Sequence, residues 1–179
     1  MTGVDLASRA LGGSVVAASD ESFGFKERLI DPSEPAFVPG TYDLRGEVVD
    51  GWETRRRRDI GPDTHDAVMI SFVVPADLQR IEIDTSRFVF NASPEAAVLG
   101  SRALPGGEHG WALVPFDVEV LPRTRIAPDA RQVFVVDATN ITALRVQAYP
   151  DGGLARVRAF GSPTADGVAQ LESMWEAAC

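Results

Sequence analysis

The chain has one Cys, one Lys, two His and no long apolar run. The Cys is the last residue, Cys179, so no disulfide closes within the chain and a cluster of Cys metal ligands is excluded. The two His, His65 and His109, lie far apart, and neither HxH nor HExxH occurs, so a tight structural zinc site is not expected. No apolar stretch approaches the roughly 20 residues that a membrane helix needs. The start, Met1-Thr2-Gly3-Val4-Asp5, lacks a basic region ahead of an apolar one. The expectation is a cytoplasmic protein without a membrane partner. Positive charge is scarce as well. With 17 basic against 26 acidic residues the net charge is -9, and such a field repels nucleic acid and anionic lipid.

What positive charge there is comes almost entirely from Arg, and four Arg are consecutive. The segment Asp50-Gly51-Trp52-Glu53-Thr54-Arg55-Arg56-Arg57-Arg58 combines two acids, a Trp and a block of guanidinium groups. Arg presents a planar fork that matches a carboxylate or a ureido oxygen better than the point charge of Lys does. If extended, the segment turns Glu53, Arg55 and Arg57 one way and Trp52, Thr54, Arg56 and Arg58 the other. If helical, Glu53 and Arg57 pair at i, i+4. A solvated basic stripe is the alternative to a site for a small anion.

At 179 residues and 45% hydrophobic composition the chain fits one domain with a sizeable core. Alternation marks strands at Ala67–Val74, Arg80–Asp84, Phe116–Val120 and Leu144–Ala148. Val133–Val136 and Leu154–Phe160 are further candidates, with Val15–Ala18 and Ala96–Leu99 weaker. Pro and Gly punctuate them at Pro75, Pro94, Pro105-Gly106-Gly107, Pro122, Pro150-Asp151-Gly152-Gly153 and Gly161. Many short strands predict an all-β antiparallel sandwich or jelly roll. Residues 26–50, with Pro32, Pro35, Pro39 and Gly40, read as a long ordered loop. Ala165–Ala178 reads as a helix with Val168, Leu171 and Trp175 on one face and Met174 beside them, expected to pack on the sandwich or on a neighbouring subunit. The division is thus a sandwich over residues 1–163 and a helix over 164–179.

Three other motifs carry chemistry. Ser19-Asp20-Glu21 follows the apolar run Val15–Ala18 and reads as loop acids or as turn chemistry. His65-Asp66 sets an imidazole beside a carboxylate, an arrangement that serves a general base or a metal ligand. Tyr149-Pro150-Asp151-Gly152-Gly153 reads as a tight turn, after which Arg156 is the residue placed to reach a site. An exchangeable Mn or Mg held by carboxylates leaves no compact signature, and the residues alone leave it open.

Taken in order, these segments resemble the allantoicase family. The matching strings are Asp5-Leu6-Ala7-Ser8, Leu11-Gly12-Gly13, Val16–Glu21, Asp50–Arg58, His65-Asp66 and Ile83-Asp84-Thr85. Phe88 with Asn91, Leu121-Pro122-Arg123 and Tyr149–Arg156 continue the match, which spans about residues 4 to 161. The resemblance implies a jelly roll similar to galactose-binding modules, and hydrolysis of allantoate to ureidoglycolate and urea in purine and ureide catabolism. A divalent metal is associated with some members of the family, so the resemblance keeps Mn open as a cofactor without requiring one. Family sequences carry two such repeats and this chain one, so a homo-oligomer of half-length subunits is expected. A non-catalytic ureide-binding module is the other reading. Val48 replaces a frequent Trp, Phe88-Val89-Phe90-Asn91 lacks the usual Gly, and Arg131-Gln132-Val133-Phe134 departs from the pattern. On this resemblance the expected roles are Arg55 or Arg57 as carboxylate clamp, Glu53 or Asp20 as acid, and His65 or Asp50 as base. Trp52 walls the site or fills the core, and Arg156 contacts substrate.

Overall fold

A computed structural model describes residues 3–59, 61–103 and 114–178. The turn Pro105-Gly106-Gly107, His109 and Cys179 lie outside these. In chain order the strands are β1 (Val4–Asp5), β2 (Ser14–Ala18), β3 (Tyr42–Asp43), β4 (Gly46–Glu47), β5 (Trp52–Glu53) and β6 (Asp66–Asp84). They continue as β7 (Glu95–Ser101), β8 (Val118–Arg125), β9 (Arg131–Tyr149), β10 (Gly153–Leu154) and β11 (Arg156–Pro163), followed by one helix, α1 (Ala165–Ala178). Alternation works as expected in β6, where Val68, Ile70, Phe72 and Val74 are buried and the residues between them half-buried.

The main sheet runs β1-β11-β6-β9-β7-β8, with β2 added to β6, and every pairing in it is antiparallel. β6 and β9 pair from end to end, Asp66↔Ala148 to Asp84↔Arg131, with a break between Ser71 and Ala76. Register shifts at Ser71/Ala76, Ala76/Leu78 and Leu78/Arg80 bend both long strands midway. One half is flanked by β2 and β7, the other by β11 and β1. The core draws on both halves: Val68, Ile70, Leu144 and Val146 from one, Ile81, Ile83, Val157 and Ala159 from the other. The fold is an antiparallel β-sandwich of jelly-roll type.

Several sequence boundaries are corrected. Pro75 does not end a strand: it lies in the unpaired step of the β6–β9 ladder, where its missing N–H costs no cross-strand bond. Ala67–Val74 and Arg80–Asp84 are therefore one strand, as are Val133–Val136 and Leu144–Ala148. Pro122 and Gly161 also sit inside strands, Gly161 at a register shift. Residues 26–50 hold a 3-10 helix at Lys26–Ile30, with Leu29 and Ile30 buried, and the small β3–β4 hairpin.

Helix α1 has the expected bounds, and of the two expected packings the sandwich takes chiefly its start. Thr164 docks its start, its N–H donating to the Pro75 carbonyl and its Oγ1 accepting from the Gly167 N–H. Beyond that first turn the apolar face is uncovered: Val168, Leu171, Met174 and Trp175 are all exposed.

Candidate functional site

The arginine run leaves the core at a defined point. β5 pairs with β10, Leu154↔Trp52 and Gly153↔Glu53, and Gly24 bridges Glu53 from the other side. Glycine is required at 153 because a Cβ there would lie 2.1 Å from the Phe88 ring. Trp52 is fully buried in the core, and its Nε1 donates to the Asp20 carbonyl at 2.7 Å. Thr54 is buried too, its Oγ1 accepting from the Gly152 N–H. The extended reading holds this far. From Arg55 the pairing ends and the four side chains fan out around a cavity of about 860 Å³ lined by Arg55 to Arg58 with Ser19, Asp20, Asp59 and Asp66.

Two buried carboxylates hold the run in place. Asp151 accepts from Arg56 Nη1 at 2.8 Å and from the Arg57 backbone N–H at 2.8 Å. Asp66 Oδ1 accepts from Ser19 Oγ and from Arg57 Nη1, each at 2.8 Å, while Oδ2 is buried without a partner among the described residues. Arg57 is fully engaged, because its Nε and Nη2 donate to Asp59 and its Nη1 also reaches the His65 carbonyl. Arg55, with its side chain 73% exposed, meets only Asp20, and Arg58 is exposed with no ion pair among the described residues. The guanidinium groups open to a ligand are therefore those of Arg55 and Arg58.

The two candidate acids differ. Burial pushes the Asp20 carboxyl up. The backbone N–H groups of Arg55 and Ser22, the Ser22 hydroxyl and the Arg55 charge outweigh it and hold Asp20 below the ordinary carboxylate range. In Glu53 burial prevails and pushes the carboxyl up, against an opposing hydrogen bond from Asn91 and the Arg56 charge. Asp20 is thus set to stay ionised and Glu53 to hold a proton more readily.

Five expected site residues are not among those lining the cavity: Trp52 in the core, Glu53 on β5 against Asn91, and Asp50, His65 and Arg156. Arg156 is fully buried, with its guanidinium on both Asp50 carboxylate oxygens at 2.7 and 3.2 Å and on the Ser33, Asp50 and Ala155 carbonyls. Together Asp50 and Arg156 pin the 26–50 loop to β11, away from the residues that line the arginine cavity. His65 has both ring nitrogens in use. Nδ1 faces the Asp63 carbonyl at 2.8 Å and so carries the proton, and Nε2 accepts from the Gln147 amide at 2.9 Å. Reading residues alone passed over Asp66, Asp151, Ser19, Arg58 and Asn91 as site residues. All five lie in strings singled out for other reasons: Ser19 in Ser19-Asp20-Glu21, Arg58 in Asp50–Arg58, Asp66 in His65-Asp66, Asn91 with Phe88, and Asp151 in Tyr149–Gly153. What joins Ser19 to Asp66 is the β2–β6 pairing, Ala18↔Val68, which no local pattern shows.

The donor set does not fit a divalent cation. Among the described residues no three His, Cys, Asp or Glu side chains cluster as ligands, and Asp20, Asp59 and Asp66 each face a guanidinium. No helix among the described residues is long and apolar enough to cross a membrane.

Comparison with known proteins agrees with the motif order. The allantoicase repeat family model matches residues 4–164. A probable allantoicase from Burkholderia mallei is 37% identical over 167 residues, covering 91% of this chain and 47% of its own length. One from Nocardia farcinica is 40% identical over 165 residues, covering 90% and 49%. The crystal structure of allantoicase from Saccharomyces cerevisiae superimposes with a TM-score of 0.71 at 35% identity, over 88% of this chain and 48% of that one. A carbohydrate-binding module, CBM32-3 of a Clostridium perfringens glycoside hydrolase, shares the fold alone, with a TM-score of 0.59 at 14% identity. The chain spans about half the length of the curated relatives it matches. It belongs to the allantoicase family, as a protein of the allantoicase-repeat type.

Proposed function

We propose that the chain is an allantoicase-type hydrolase, an allantoate amidinohydrolase that converts allantoate to ureidoglycolate and urea in the cytoplasm, with residues 1–163 as the repeat domain and 164–179 as an appended helix. The observation that carries this reading is the arginine-lined cavity: its size and charge suit a small anion with many polar atoms. Allantoate bears a carboxylate and two ureido groups on one carbon. Arg55 and Arg58 take the carboxylate, a charged contact worth roughly 1.5–3 kcal/mol. Arg57 frames the wall through Asp59 and Asp66. In the chemical step the central C–N bond breaks and a C–O bond to water forms. Glu53 gives the leaving nitrogen its proton, and the water proton passes to an ionised carboxylate, the role assigned to Asp20. Trp52, Asp50 and Arg156 act as scaffold, and His65 supports the wall through its carbonyl.

Urea release from allantoate by purified protein tests this. Glu53→Gln is expected to lower turnover by roughly 10²–10⁴-fold. Arg55→Ala is expected to raise KM by about tenfold or more, while both variants keep the wild-type circular dichroism spectrum. Chelator is expected to leave the rate unchanged. Rates unaffected in both variants would remove the segment from the mechanism, and binding without turnover would favour the ureide-binding module. The exposed apolar face of α1 favours one addition: two copies of the chain act together as a homo-oligomer.

A further inference from the structure

Glu53 is held by one oxygen only. Its Oε1 accepts from the Asn91 side-chain amide, Nδ2, at 2.6 Å, while Oε2 makes no hydrogen bond among the described residues. Asn91 belongs to the turn between β6 and β7, and its own carbonyl accepts from the Gly153 N–H at 2.8 Å. Gly153 is also the residue paired with Glu53 in the β5–β10 ladder. Asn91 and Glu53 are therefore braced on the same strand pair, which fixes the amide relative to the carboxyl. The other neighbours of Glu53 are settled. Arg56 supplies a positive charge, itself tied to Asp151 and to the Phe90 carbonyl. The Phe23–Gly24 segment meets Glu53 through backbone alone: both N–H groups donate to the Glu53 carbonyl, and the Gly24 carbonyl accepts from the Glu53 N–H.

An oxygen that accepts an N–H cannot carry a proton along the same direction. When Glu53 is protonated, the amide on Oε1 sends the proton to Oε2, the oxygen without a protein partner. The geometry points to Asn91 as the positioning residue that makes Glu53 a one-sided acid, directing its proton to Oε2. The inference rests on the hydrolase reading for the role of Glu53 but concerns a contact that reading did not use. The amide also favours the ionised carboxylate, opposing the effect of burial. Losing Asn91 would therefore make Glu53 hold its proton to higher pH and place that proton on either oxygen.

The test combines a titration with a double-mutant cycle. Asn91→Ala leaves the backbone bond to Gly153 in place, and folding is checked by thermal melting. The Glu53 carboxyl is titrated by ¹³C NMR in wild type and in the variant, a readout that needs no activity. Its midpoint is expected to move upward in Asn91→Ala by roughly one pH unit, a tenfold change in proton affinity. In the urea assay, Asn91→Ala is expected to lower kcat by at least tenfold with KM within twofold and to shift the alkaline limb of the pH profile upward. The double variant Asn91→Ala/Glu53→Gln is expected to be no slower than Glu53→Gln alone. An unmoved midpoint, or losses that multiply in the double variant, would overturn the inference. A moved midpoint in a protein whose wild type releases no urea would uphold the Asn91–Glu53 pair while the allantoate reading fails.

Discussion

Asp151 shows how far single residues depart from their sequence reading. In the string Tyr149–Gly153 it looks like turn chemistry, and the turn is there. Yet its carboxylate is 2% exposed and accepts from both the Arg56 guanidinium and the Arg57 backbone, so it anchors the arginine run. Asp151→Ala is expected to cost about 1.5–3 kcal/mol of stability in guanidinium chloride unfolding, the lower end applying if water rehydrates the exposed Arg56 head. On the proposed function it is also expected to weaken allantoate binding through a loosened cavity wall. A loss below about 0.5 kcal/mol would show that the contact is incidental. The same scale separates Arg57 from Arg55. Spacing presents them as equivalent members of one face, and partners decide otherwise, because Arg57 meets Asp59, Asp66 and His65 while Arg55 meets Asp20 alone.

At the scale of elements, alternation located the strands but not their ends. Val68, Ile70, Phe72 and Val74 were legible as one buried face, because period two survives in any half-buried strand. The continuity of β6 through Pro75 was not legible, because a proline breaks a ladder only where its N–H is needed, and the partner strand determines that. Helix α1 was legible in position for the same reason as the strands, since its apolar residues recur at helical spacing. What covers that face was not legible. With Trp175 74% exposed, Trp175→Ser is expected to change the unfolding free energy of the monomer by less than about 0.5 kcal/mol. A loss of several kcal/mol at low protein concentration would mean that the helix folds back onto the sandwich.

For the whole molecule, a net charge of -9 surrounds a cavity lined by four arginines. An anion is thus drawn in only near the cavity, where the local guanidinium groups exceed the long-range repulsion screened beyond about 8–10 Å. The uncovered face of α1 leads to an expectation at this scale. Light scattering is expected to give at least twice the chain mass of 19.2 kDa, and Trp175→Ser is expected to shift the population toward monomer. A wild type that stays monomeric and active would remove the assembly from the function. The sequence alone determined the family and the sandwich, because long specific strings such as Asp50–Arg58 and period-two alternation are properties of consecutive residues. Only the tertiary structure decided which charges are open and which are engaged. Asp20, Asp66, Asn91 and Asp151 reach the arginine segment through strand pairing and turns across separations of up to 95 residues, and such contacts leave no trace in local order.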